Sequence, residues 1–283
     1  VGIVASVASI IVAAGISPAT PTARALQVVG LSYPVDIAAG EQGVVVADFK
    51  AHALMALDGQ GNVAPIFAGE GLPRTPLYGA RAVLEAPDGD GWLVADPATF
   101  SLYRVGSDGT LSLITSDLDV PQGLARFDDR SVLVADARGG IGVVYRVTLE
   151  GVVTVFAEIP APKGIAAAAD DFVVVSYGER ALYRLTRDGA VSVLHRGAPF
   201  DYPHDVAVLS DGRFAVTDGY ARAIFLVSAA GEVTTLARGD PLVTPQGIVA
   251  TVDGDLLVVD PQAGAVFRVA GDGTIARWVD VTR

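Results

Sequence analysis

Residues 201–236 read DYPHDVAVLSDGRFAVTDGYARAIFLVSAAGEVTTL. Pro203 leads into VAV, Asp211-Gly212 makes a turn, and FAVTD, AIFLV and VTTL follow, with Ala230-Gly231 before the last. The segment is four short apolar strands divided by turn residues. The same order returns after Pro245-Gln246-Gly247, and upstream from Pro34, near Tyr78, Pro121 and Pro162. The Asp that ends the second strand stands at 48, 96, 136, 218 and 260, with Ser176 in its place in the fourth copy. Spacings of 48, 40, 40, 42 and 42 residues follow from those positions. A period of this length, with four strands in each unit, predicts an all-β, six-bladed β-propeller with four antiparallel strands per blade.

The second strands, VVVAD, WLVAD, VLVAD, FVVVS, FAVTD and LLVVD, are apolar without alternation, as sheets buried on both faces require. The third strands, such as LYRV, VYRV and VFRV, are aromatic and β-branched. Asp-Gly or Gly turns at 88–89, 108–109, 188–189, 211–212, 253–254 and 272–273 favour tight hairpins. Each copy holds all four strands, so no borrowed strand is needed to complete the last blade, and LQVVG at 26–30 is a candidate to add at the seam.

The chain divides at residue 25. Residues 1–16 carry no charge, and Ala23-Arg24-Ala25 has the small-x-small form of a signal-peptidase site. Residues 1–25 therefore read as a signal peptide or an N-terminal anchor, and 26–283 as the propeller. The expectation is an extracytoplasmic protein, secreted or periplasmic, that meets a membrane only through an uncleaved N-terminal segment, and a monomer. There is no cysteine, so disulfides, thiolate metal sites and a Cys nucleophile are excluded. Net charge is −12, and no basic face is visible to displace counterions from phosphates, which argues against a nucleic-acid partner.

Strand polarity sorts the loops. The Pro-x-Gly/Asp segments and the ends of the second strands share one face, the mouth, and the Asp-Gly turns lie on the other. The x residues are Val35, Gln122, Lys163, His204 and Gln246, with Tyr78 taken as the equivalent in blade two. Lys163 and His204 are the chemically unusual ones, and Tyr177, Glu179, Asp205 and Tyr220 belong to the same two blades. Adjacent blades should bring Lys163 and His204 together at the axis, where each would depress the other's pKa. In an enzyme, Lys163 or His204 would be the base and Tyr177 or Tyr220 the acid or oxyanion donor. Gln122, Gln246, Tyr78, Glu179 and Asp205 would line the ligand. The competing reading is a tolerant loop position that accepts any polar residue. The strand-end aspartates invite a calcium ring. Five near-identical positions capping turn amides is the simpler account. The loop 68–78, AGEGLPRTPLY, holds the extra length of the longest spacing and is expected to overhang the mouth and to be dispensable for stability.

The recurring Pro-x-Gly/Asp, VAD and YRV segments over residues 31–279 resemble the NHL-repeat family of six-bladed β-propellers, which hosts enzymes and pure binders alike. WD40 signatures and a nucleophile elbow are absent. PHDVAV with VTDGYARAI resembles blades of the peptidyl-hydroxyglycine amidating lyases, zinc enzymes that use three histidines. That resemblance implies His204 as a zinc ligand and Tyr220 as a catalytic residue, although only His52 and His195 remain to complete a set. A more distant similarity is to the calcium lactonases of the SMP-30 type, whose metal-facing Asn is Gln, Lys or His here. Calcium and zinc are the metals these resemblances imply, and the residues themselves require neither. Two functions follow: a propeller that binds a small molecule or a protein or peptide partner at its mouth, or a hydrolase or lyase of the same fold, metal-dependent or not.

Overall fold

The computed structural model describes residues 30–281 apart from residue 141. The signal-peptide or anchor assignment lies outside the described residues. Twenty-four strands form six four-stranded antiparallel sheets, each built from consecutive strands. The innermost strands are β1 (Pro34–Gly40), β5 (Ala82–Glu85), β9 (Pro121–Asp128), β13 (Pro162–Ala167), β17 (Pro203–Val208) and β21 (Ile248–Ala250). The last blade ends with β24 (Ile275–Asp280) and takes all its strands from its own repeat. The only helical element among the described residues is a 3-10 turn at Arg138–Gly140, so none is long and apolar enough to cross a membrane.

Both faces of each sheet are apolar because each blade is sandwiched between two others. Among the described residues six buried clusters correspond to the six interfaces; Phe172, for example, joins blades three and four, and Phe267 joins five and six. Burying such a ring contributes about 1.5–3 kcal/mol. The interface between blades six and one has the same construction, with Leu257 and Val259 against Ile37, Val46 and Met55. There Leu31 also forms a parallel bridge with Val281, so the two ends of the described chain fasten the ring where it closes.

The strand-end aspartates are structural. Asp48 accepts the backbone N–H groups of Ser32, Tyr33, Lys50 and Ala51, all within 3.1 Å. Asp218 accepts those of Asp201, Tyr202 and Ala221, and Asp260 those of Val243, Thr244 and Ala263. Each such carboxylate ties the segment entering the first strand to the turn leaving the second. Ser176, in the fourth blade, donates from Oγ to the Pro160 carbonyl and accepts the Glu179 N–H, so one hydroxyl joins the same two segments.

The loop between blades one and two departs from expectation. Leu77 has no accessible surface and belongs to the core between those blades. It adopts φ 62°, a left-handed conformation that β-carbon-bearing residues rarely accept. The loop is a wedge, and its removal would open the first interface. Leu77→Ala should cost about 2–4 kcal/mol in urea unfolding. Asp260→Ala should cost about 2 kcal/mol or more, since several amides lose their acceptor, and the loss should be unchanged by a chelator. A loss that appears only after chelation would mean these carboxylates hold a metal.

Candidate functional site

In four of the six blades the x residue owes its position to an irregularity in the first strand. Pro34 pairs with Asp48, but Asp36 pairs with Ala47, leaving Val35 as an extra residue. The register shifts likewise at Gln122, between Pro162 and Ile165 around Lys163, and at His204. A bulge re-aims the side chain it carries, here at the mouth end of the innermost strand. In blade two Arg81 donates its N–H to the Ala95 carbonyl and precedes the Ala82–Ala95 pair. Arg81, and not Tyr78, is therefore the equivalent of Val35, Gln122, Lys163, His204 and Gln246. Tyr78 stands aside, stacked on His52 at 4.8 Å. Blade two lacks the Pro-x-Gly/Asp signature, which hid its register in the sequence.

An axial cavity of about 360 Å³ is lined by the first strands of all six blades, with Arg81, Gln122, Lys163, His204 and Gln246 at its mouth end and Asp36 and Asp205 beside them. This is within the size range of small-molecule sites. Lys163 Nζ lies 2.7 Å from His204 Nδ1. Among the described residues Lys163 makes no salt bridge. Burial first, and then the Arg81 charge, lower Lys163 to about 7, while Asp205 opposes. Burial, Lys163 and Arg81 lower His204 to about 2. At neutral pH the imidazole is neutral and the amine is close to half neutral. The small surface these groups show faces the cavity, which explains how a half-buried lysine behaves as a desolvated one.

Tyr202, which sequence reasoning missed, is the hub of the aromatic wall. Its ring lies 4.9 Å from Lys163 Nζ, 4.7 Å from the Tyr220 ring, 5.4 Å from Tyr177 and 5.1 Å from His204. Tyr177 is also near Lys163, at 5.9 Å, whereas Tyr220 is 67 % exposed on the rim. The missed signal was internal: Tyr33-Pro34-Val35-Asp36 and Tyr202-Pro203-His204-Asp205 alone combine Tyr before the Pro with Asp in the Gly position. Tyr33 correspondingly faces Phe49 and Lys50.

The two aspartates cross-link neighbouring inner strands. Asp36 accepts the Val83 N–H at 2.8 Å, and Asp205 accepts that of Ile248 at 3.0 Å. Burial raises both carboxyls. Asp36, which also faces the Asp205 charge, stands well above the usual range, and Asp205 stands at about 6. Glu179 belongs elsewhere: it accepts from Tyr183 Oη and pairs with Arg196 at 2.6 Å. Gln122 and Gln246 line the cavity.

The zinc set does not form. His52 Nδ1 bonds to the Tyr78 carbonyl, His195 bonds to the Ala198 carbonyl from the outermost strand of blade four, and His204 faces Lys163. Among the described residues no three His, Asp or Glu side chains converge as metal ligands. The donor set thus fits neither implied metal. Arg81 Nε is buried without a hydrogen-bond partner.

Comparison with known proteins agrees with this architecture. A profile of the NHL repeat matches residues 200–222, the stretch from the strap into blade five to the end of its second turn. No curated protein matches the sequence. Virginiamycin B lyase from Staphylococcus aureus superposes with TM-score 0.70 at 18% identity, over 89% of this chain and 86% of that one. The nidogen/laminin complex contains a chain with TM-score 0.66 and 13% identity, over 78% and 87%. A calcium-binding regucalcin from Agrobacterium tumefaciens gives TM-score 0.60 at 15% identity, over 71% and 74%. A lyase, a chain of a protein–protein complex and a calcium-binding protein share the fold, so the fold leaves the chemistry to the site.

Asp205 yields a signed pH effect. Its folded pKa, about 6, exceeds the unfolded 3.8, so the folded state binds the proton more tightly. Its contribution is full below the unfolded value and is lost as pH rises through about 6. Asp205→Asn keeps an acceptor for Ile248 and removes the titration. The variant should gain on the wild type between pH 4 and pH 7 by on the order of 2–3 kcal/mol in urea unfolding. A stability difference that stays flat with pH would contradict the burial of this carboxyl.

Proposed function

We propose that this propeller binds a small organic anion in its axial mouth. The observation that carries the reading is two basic side chains, Arg81 and Lys163, that form no salt bridge among the described residues and open on one cavity of a chain with net charge −12. Ten arginines form salt bridges among the described residues, whereas Arg81 forms none there and its Nε is buried with nothing to bond. A buried donor left unsatisfied costs about 1–3 kcal/mol, and a bound carboxylate would remove that cost. Tyr202, flanked by Tyr177 and Tyr220, puts aromatic rings beside the Lys163 amine, next to the apolar part of such a ligand. Gln122 and Gln246 supply neutral hydrogen-bonding groups on the remaining wall.

A catalytic reading of the same site is favoured by one contact, that of Lys163 with His204 at 2.7 Å, since an amine near neutrality beside a neutral imidazole is suited to proton transfer or nucleophilic attack. A lyase among the structural neighbours is compatible with it. Export as a monomer completes the proposal and rests on the leader-like residues 1–25.

Benzoate and benzamide, equal in shape and different in charge, separate the possibilities by calorimetry. Benzoate should bind the tighter by tenfold or more, which is about 1.4 kcal/mol, and Arg81→Gln should remove most of that difference. Affinity for benzoate should fall as pH rises from 6 to 8, because Lys163 loses its charge through about 7. Tighter binding of the amide, or no effect of Arg81→Gln, would refute the anion reading.

A further inference from the structure

Lys163 differs from an ordinary anion-binding lysine in what surrounds its nitrogen. The amine makes no salt bridge among the described residues, touches an imidazole at 2.7 Å and is walled by the Tyr202 and Tyr177 rings. The groups that act on it are all identifiable: His204 in contact, Arg81 with a positive charge, Asp205 with a carboxyl, and the two phenols. Among the charged groups only Asp205 favours the ammonium form, and Asp205 spends one oxygen on the Ile248 N–H. A lysine needed only as a positive charge would be better served by a carboxylate neighbour or by solvent. This one is arranged to present a lone pair to a cavity.

We propose that Lys163 is the nucleophile that forms an imine with the carbonyl group of a small oxo acid whose carboxylate rests on Arg81. The inference builds on the anion-binding reading and narrows its ligand class. The nitrogen lone pair forms the C–N bond while the carbonyl π pair moves to oxygen. The proton lost from nitrogen is gained by that oxygen, giving a carbinolamine. The carbinolamine then takes up a proton and expels water as the C–O bond breaks and C=N forms. One carbonyl, one neutral amine and one proton from solvent become one protonated imine and one water, with no change of oxidation state. His204 is a positioning residue: Nδ1 in its unprotonated form accepts an N–H of the amine and leaves the lone pair directed off the imidazole. Burial keeps His204 neutral, so it can hold that role throughout the neutral pH range. Arg81, held at the entry to the first strand of blade two by its N–H bond to the Ala95 carbonyl, supplies the charge that selects an oxo acid over a simple aldehyde or ketone.

The test uses the whole propeller with phenylpyruvate, a 2-oxo acid, and levulinate, a 4-oxo acid, so that either spacing of carboxylate and carbonyl is covered. Sodium cyanoborohydride is added at pH 7 to reduce any imine to a stable secondary amine. Intact-mass spectrometry should show one reduced adduct per chain, and peptide mapping should place it on Lys163 and not on Lys50, the only other lysine. Lys163→Arg and Lys163→Met should both abolish the adduct, with circular dichroism confirming that each still folds. Arg81→Gln should reduce the trapping rate at low ligand by tenfold or more. His204→Gln should leave binding in place while shifting the pH profile of trapping, a readout that a purely structural role would not move. Ligand-induced thermal shift without reductant is measured alongside. A shift with no adduct, or an adduct on Lys50 or the chain terminus, overturns the imine and leaves anion binding standing. Absence of both shift and adduct overturns the two together.

Discussion

The architecture depends on how closely six strands approach one another around the axis. A β-carbon on Gly123 would lie 2.2 Å from the Lys163 carbonyl oxygen, and one on Gly247 would lie 2.6 Å from the Asp36 α-carbon. Backbone must therefore pass backbone at these points, which is why glycine follows the x residue in blades three, four and six. Where the neighbouring strand brings a side chain instead, as Asp205 does against Gly164, glycine again makes the space. In blades three, four and six the position after the x residue has no room for a side chain, so there the polar side chain is carried at the x position, at the mouth. In blades one and five Asp36 and Asp205 take that following position and reach the neighbouring strand.

Confinement in turn decides protonation. No salt bridge organises the groups of the mouth among the described residues; removal from water does. Burial is the first cause of the shifts at Lys163, His204, Asp36 and Asp205; neighbouring charges come second at the first three, whereas at Asp205 the backbone hydrogen bonds come before the Lys163 charge. The result is a cluster whose members tend toward neutrality, the amine and imidazole by losing protons and the carboxyls by keeping them. Arg81 is the exception, because a guanidinium retains its proton even when burial lowers its pKa. A fixed cation beside an uncharged nucleophile is the combination from which the proposed ligand class follows.

The repeat was legible because propeller blades must bury both faces and turn on the same side, so spacing, apolar strands and Asp-Gly turns recur together. Lys163 and His204 could be placed side by side for the same reason: equivalent residues of successive repeats are neighbours in a ring. What escaped was whatever breaks the repeat. Arg81 lies in the one blade without a Pro at that point, and only the pairing of Ala82 with Ala95 reveals its register. Leu77 sits in what reads as a polar, Pro- and Gly-containing loop, and its burial depends on a gap between two blades that no local pattern encodes. Glu179 was assigned to the mouth by its place in the chain, yet Arg196 from the outermost strand draws it away. Tyr202 was readable, as half of a YPxD pair shared with blade one, but its meaning emerges only once Asp36 and Asp205 are seen on the same axis.

The central claim is that the propeller holds Lys163 without an ion-pair partner, in a site dry enough to release its proton near neutrality. The chain has only two lysines, so a sample labelled with carbon-13 at the lysine ε-position gives two signals, and Lys163→Arg identifies which is which. Following those signals from pH 5 to pH 11 measures the amine directly. The account predicts that the Lys163 signal titrates at about 7. A Lys163 signal that titrates above pH 10, as a solvated lysine does, would contradict it.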